Sequence, residues 1–111
     1  MSNWIDIAAL DDIPPRGARV VKTAAGCVAI FRTHDDEVFA LDDRCPHKGG
    51  ALSEGLVHGH AVTCPLHGLV ISLEDGRARG PDEGRVATHA VKVEDGRILL
   101  DAARLRRRAA A

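Results

Sequence analysis

Three things are scarce in this chain of 111 residues: aromatic side chains, an excess of charge of either sign, and long apolar runs. The aromatic residues are Trp4, Phe31 and Phe39, so the apolar content is mainly Ala, Val, Leu and Ile. Fifteen basic side chains against sixteen acidic ones leave a net charge of −1. That balance argues against a general polyanion binder, which would carry a basic excess. No apolar run approaches the ~18–20 residues of a membrane-spanning helix. The opening Met1-Ser2-Asn3-Trp4 has no basic region followed by an apolar stretch, so no signal peptide is visible. The expectation is a soluble, cytoplasmic domain that binds neither nucleic acid nor membrane. The length suits one domain with a real core and is too short for two.

Cysteine is sparse as well. Cys27, Cys45 and Cys64 cannot all pair within one chain, and a cytosolic setting disfavours structural disulfides. Each is therefore a ligand, a nucleophile or a small buried apolar residue, and its neighbours decide which.

What is present is the punctuation of a β protein. Trp4-Ile5-Asp6-Ile7 alternates like a short strand, and Asp11 to Gly17 reads as a turn-rich connection. Ala18–Thr23 and Cys27–Arg32 form a candidate hairpin, and Glu37–Leu41 follows the polar turn His34-Asp35-Asp36. Val86–Val93 and Arg97–Leu100 bracket Glu94-Asp95-Gly96, a strong Asp-Gly hairpin signal. Short strands at this spacing predict a small all-β antiparallel sandwich or barrel occupying residues 1–101. Residues 102–111 are the one helical stretch, and the arginines there read as a solvated basic tail.

Between the β-rich blocks, over residues 42–84, the pattern changes. This segment holds two of the three cysteines and four of the six histidines, and it reads as irregular, glycine-rich loop on a rigid scaffold. Cys45-Pro46-His47 is followed by Lys48-Gly49-Gly50, and Cys64-Pro65-Leu66-His67 by Gly68. Sixteen residues separate His47 from Cys64, so two short loops each offer one thiolate and one imidazole. Two sulfur and two nitrogen ligands suit zinc or an iron–sulfur cluster. A zinc finger commonly takes both cysteines from one loop and both histidines from a helix, whereas here each loop gives a mixed pair. In a two-iron cluster with mixed ligation, one iron takes both sulfurs and the other both nitrogens. The prolines at 46 and 65 stiffen the loops and lower the entropy lost on metal binding.

Cys45-Pro46-His47 with Cys64-Pro65-Leu66-His67 resembles the signature of Rieske [2Fe–2S] proteins. The resemblance implies a small Rieske-type β domain with two cluster-binding loops, Cys45 and Cys64 on one iron and His47 and His67 on the other. Gly80-Pro81 resembles the third, proline-containing loop that covers the cluster. Two ferric ions, two sulfides, two thiolates and two neutral imidazoles sum to zero charge, and reduction makes the centre negative. Histidine ligation thus raises the potential relative to an all-cysteine site. The domain alone is a one-electron carrier with no catalytic residue of its own.

In cytochrome bc Rieske proteins, extra cysteines in the two loops form a disulfide. The matching places here are Gly50 and Leu66, so that bridge is absent. Hydroxyl donors that those proteins place after the second histidine are replaced by Leu69 and Ile71. Fewer donors stabilise the reduced state less, so a low-potential centre is expected.

Residues Cys45–Gly59, Val70–Gly76 and Gly80–Gly84 are similar to the small subunit of the bacterial assimilatory NAD(P)H nitrite reductase. That reading implies a large partner subunit with flavin, a further iron–sulfur cluster and sirohaem, acting on nitrite to give ammonium. The pair Gly68-Leu69 departs from that family's frequent Asn-Trp. Glycine is common there in the ferredoxins of ring-hydroxylating dioxygenase systems, whose partners are a ferredoxin reductase and an oxygenase. A zinc-stabilised binding module is the third reading.

The remaining candidates have plainer expectations. Cys27 reads as a small buried residue of a strand, and His34 and His89 as surface residues. His58 and His60 flank Gly59 in a turn and read as solvated, with His60 also a candidate neighbour of the cluster. Lys48 and Arg44 could steer an acidic partner, although Asp42 and Asp43 nearly cancel them. Leu52, Leu56, Leu66 and Leu69 either shield the cluster or form an apolar docking rim.

Overall fold

In the central strand of the fold, four consecutive residues are buried, Val28, Ala29, Ile30 and Phe31. Because side chains alternate across a strand, such a run must face a core on each side. The computed structural model, which describes residues 4–23, 26–44, 51–65, 68–79 and 84–101, shows both cores.

Ten strands are described: β1 (Trp4–Ala9), β2 (Ala18–Thr23), β3 (Gly26–Arg32), β4 (Val38–Asp42), β5 (Leu56–His58), β6 (Ala61–Thr63), β7 (Val70–Ser72), β8 (Thr88–His89), β9 (Val91–Glu94) and β10 (Arg97–Asp101). They form three antiparallel sheets, ordered β1-β10-β9, β2-β3-β4-β8 and β5-β6-β7. The second sheet lies between the other two. Val28, Ile30 and Ala40 on one face pack with Ile13, Ile98 and Leu100. Ala29, Phe31 and Leu41 on the other pack with Leu52, Val57, Val62, Cys64, Leu69, Ile71, Leu73 and Val86. Each fully buried large side chain here contributes about 1.5–3 kcal/mol relative to exposure.

The all-β antiparallel expectation holds, and so do most of the strands read from alternation. At the Asp-Gly turn, Asp95 and Gly96 have φ of 52° and 75°, the positive pair that a type I′ hairpin requires. Three details differ. The Val86–Val93 stretch is not one strand. Thr88 and His89 pair with Leu41 and Ala40, whereas Val91 onward pairs with β10, so the chain changes sheet at Ala90. The segment read as irregular loop contains the β5-β6-β7 sheet, whose three-residue strands are too short to show a period. Cys27 is exposed rather than buried, because it sits at the open start of β3, one position before the doubly covered run. The predicted helical tail at 102–111 lies outside the described residues.

Candidate metal centre

The three loops that carry the candidate chemistry are each tied at the base. The first, residues 45–50, lies outside the described residues, but its flanks meet. The Ser53 backbone N–H donates to Asp43 Oδ1 at 2.7 Å, and the Ser53 hydroxyl donates to Asp43 Oδ2 at 2.8 Å. Asp43 is held in turn through its own N–H, which donates to the Cys27 carbonyl at 3.0 Å. Leu52, in the 3₁₀ turn Leu52–Glu54, is fully buried and anchors the returning chain.

The second loop joins β6 to β7. Cys64 N–H donates to the Leu69 carbonyl at 2.8 Å, and Gly68 N–H donates back to the Cys64 carbonyl at 3.1 Å. Gly68 has φ of 69°, a left-handed conformation that glycine adopts without the clash of a side chain. The third loop closes where Ala78 N–H donates to the Gly84 carbonyl at 3.0 Å, and Arg79 N–H reaches the Val70 carbonyl at 2.8 Å.

Strand register puts these bases at one end of the β5-β6-β7 sheet. Leu56 faces Thr63, and Thr63 faces Val70, with Cys64 next in the chain and Arg79 beyond Val70. Gly55 presses this end together, since a Cβ there would collide with the Thr63 carbonyl oxygen.

Of the four candidate ligands, Cys64 is described. It is 1% exposed and packs in the core with Leu52 and Leu69, a setting that excludes water from the sulfur. Cys45, His47 and His67 lie outside the described residues, as do Gly49, Gly50, Leu66, Gly80 and Pro81. Two thiols and two imidazoles on loops tied at the same sheet end form a donor set that fits a mixed-ligand cluster. The fit is therefore one of chemistry and of where the loop bases lie.

The leucines divide. Leu52 and Leu69 are buried at 0% and 3%, whereas Leu56 is 75% exposed beside the loop bases. The first two pack in the same core as Cys64, and the third is open to solvent. Ile71 is a fully buried aliphatic side chain that packs in the core with Cys64. Arg44 is exposed, and the two carboxylates expected to cancel it are engaged elsewhere, Asp42 with His89 and Asp43 with Ser53. Lys48 lies outside the described residues.

The histidines depart most from expectation. His89 is not a surface residue. Its side chain is fully buried, and Nε2 lies 2.7 Å from Asp42 Oδ1. The reason is the short pairing of β8 with β4, which turns His89 under the sheet. Alternation alone could not reveal this, because the partner acid is 47 residues away. His60 occupies the β5–β6 turn, at the sheet end opposite the described loop bases. It is not simply solvated: Asp35, Glu37 and Glu74 surround it. His58 is exposed, with Nε2 at 2.6 Å from Thr63 Oγ1. His34 is exposed as expected.

Residues 3–101 match the Rieske-like [2Fe-2S] domain family. The ferredoxin component of the naphthalene 1,2-dioxygenase/salicylate 5-hydroxylase systems of Ralstonia sp. is 34% identical over 99 residues, covering 88% of this chain and 94% of that protein. The solution structure of the E. coli protein NirD is 33% identical with a TM-score of 0.80, covering 93% of this chain and 99% of that one. A ferredoxin in complex with its oxygenase in carbazole 1,9a-dioxygenase is 25% identical with a TM-score of 0.79, covering 91% and 94%. The zinc reading falls with the family match. The chain belongs to the Rieske-like [2Fe–2S] family and is an electron-transfer protein with a Rieske-type cluster.

Proposed function

We propose that this protein is the ferredoxin component of a ring-hydroxylating oxygenase system, carrying single electrons from a reductase to an oxygenase. The observation that carries the reading is the near full-length similarity to the ferredoxin component of a dioxygenase system, at 94% of that protein's length. Gly68 in its left-handed turn supports it, being the residue that the dioxygenase ferredoxins commonly place there. This reverses the order of the two readings drawn from the motifs.

Cys45 and Cys64 would hold one iron, and His47 and His67 the other. When bound, the group supplies one-electron chemistry at a mixed-ligand centre. The protein's own contribution is to hold the ligands and keep water out. Cys64 is fixed by its backbone bond to Leu69 and walled by Leu52 and Leu69. The Asp43–Ser53 tie holds the base of the other loop. Leu56 offers an apolar contact at the same end, where a redox partner would need to approach. We also place the protein in the cytoplasm, alongside the reductase and oxygenase of such a system.

The second reading is the small subunit of an NAD(P)H nitrite reductase with a large sirohaem and flavin subunit, and the 33% identity to NirD favours it. The two differ in how long the partner stays. Reduced protein mixed with an oxygenase component should be reoxidised quickly, in a step slowed by Leu56→Asp. A stoichiometric complex with a sirohaem flavoprotein that survives gel filtration would overturn the ferredoxin reading.

A further inference from the structure

His60 stands at the tip of the β5–β6 hairpin, and its ring meets carboxylates on both edges. Nε2 lies 3.2 Å from Asp35 Oδ2 and 3.0 Å from Glu37 Oε2, both in the segment between β3 and β4. Nδ1 lies 3.5 Å from Glu74 Oε1, in the turn after β7. The ring also packs on Phe39 of β4, with centroids 5.4 Å apart. A neutral imidazole has one N–H and one lone pair, so one edge would turn a lone pair toward a carboxylate. Only the imidazolium presents a donor to both sides.

One of these acids is itself fixed. Asp35 accepts a hydrogen bond from the buried Thr33 hydroxyl. The neighbouring Asp36 is turned away, to Arg32 at 2.8 Å. Leu73 N–H donates to the His60 carbonyl at 2.9 Å, so the hairpin tip and the β7 turn move together. His60 thus bridges the sheet that carries the candidate cluster loops to the β3–β4 connection of the central sheet.

We propose that protonated His60 is a pH-dependent clasp holding the far end of the cluster-bearing sheet against the β3–β4 turn and the β7 turn. The hydrogen bond to Asp35, and then the charges of Asp35, Glu37 and Glu74, raise its pKa above the usual imidazole range. A raised folded-state value means that the stabilisation is fully present below the unfolded histidine's pKa and is lost as pH rises through the folded value. The clasp therefore opens on the alkaline side.

The test compares the cluster-loaded protein with His60→Gln, which keeps a polar side chain but cannot carry charge. Hydrogen exchange of the 57–62 amides, read at matched pH, should be at least about threefold slower in the wild type near pH 6, and the difference should shrink as pH rises. Glu37→Gln leaves the imidazole in place and should move that loss to lower pH. A difference that does not change with pH would overturn the proposal, as would a midpoint unmoved by Glu37→Gln. Protection restored at pH 9 by Mn²⁺, and abolished by His60→Gln, would also overturn it by making the clasp a metal site.

Discussion

The two faces of β3 look onto cores built in different ways. On one side lies the β1-β10-β9 sheet, with five residue pairs between β1 and β10 and four between β10 and β9. On the other lies the β5-β6-β7 sheet, whose two pairings have three residue pairs each. The first sheet is held mainly by ladder length and alternation. The second is too short for that, because a three-residue strand forms few ladder bonds for the backbone entropy it costs. It is held instead by particular residues: Leu52, Cys64 and Leu69 in the core, Asp43 on Ser53 at the loop end, and His60 among its carboxylates at the other. A scaffold built on pattern tolerates substitution at many positions, whereas a site built on single contacts does not.

The sharpest way to break this contrast is at the cluster itself. Cys64→Ala should abolish the visible absorption entirely and speed hydrogen exchange in β5–β7, leaving exchange in β1, β9 and β10 little changed. Cys27→Ala, on an exposed thiol of the central sheet, should leave the spectrum intact, and loss of the cluster there would overturn the ligand assignment.

Next in size are matched cavities. Leu52→Ala and Ile98→Ala each remove a fully buried side chain and should each cost about 2–5 kcal/mol in chemical denaturation. They should differ in what else they damage. Leu52→Ala should shorten the cluster's lifetime in air, and Ile98→Ala should not.

A smaller effect is expected from Leu69→Ser. A hydroxyl beside Cys64 would favour the reduced, more negative state. A hydrogen bond to a charged group worth about 1.5 kcal/mol corresponds to about +60 mV for a one-electron couple. Protein-film voltammetry would read it against a wild-type value expected below zero, toward the low end of the Rieske range. An unchanged potential would remove Leu69 from the account of a low-potential centre.

The smallest effect belongs to the scaffold's surface. The hydrogen bond from Arg97, at 2.8 Å, holds the Asp6 carboxyl below its ordinary pKa. A lowered folded-state value gives stability that is present above the unfolded pKa and lost as pH falls through the folded one. Asp6→Asn should lower the melting temperature slightly at neutral pH, with the difference disappearing in acid. This is the opposite limb from the one that His60 controls.

What was legible in the sequence follows the same division. The hairpins β2–β3 and β9–β10 showed as alternation around turn residues, and the Cys-Pro-His and Cys-Pro-Leu-His spacing pointed to the family that residues 3–101 match. Strands β5 to β7 did not show, because three residues among glycines carry no period. His89 and His60 were misplaced because their partners, Asp42 and the Asp35–Glu37 pair, are near in space and distant in sequence. Periodicity reports which face a residue occupies in one strand. It does not report which acid another strand brings to it.

The pairing of β1 with β10 has a consequence for how the molecule is made. Trp4 faces Asp101 and Ile5 faces Leu100, so β1 leaves the ribosome well before the strand it must pair with. Contacts this far apart in sequence slow folding, and every loop residue of the metal centre is synthesised during the wait. A nascent chain stopped short of Arg97 would hold both cysteine–histidine loops while Ile98 and Leu100 were still missing from the core. The ligands are complete before the domain that shelters them can close.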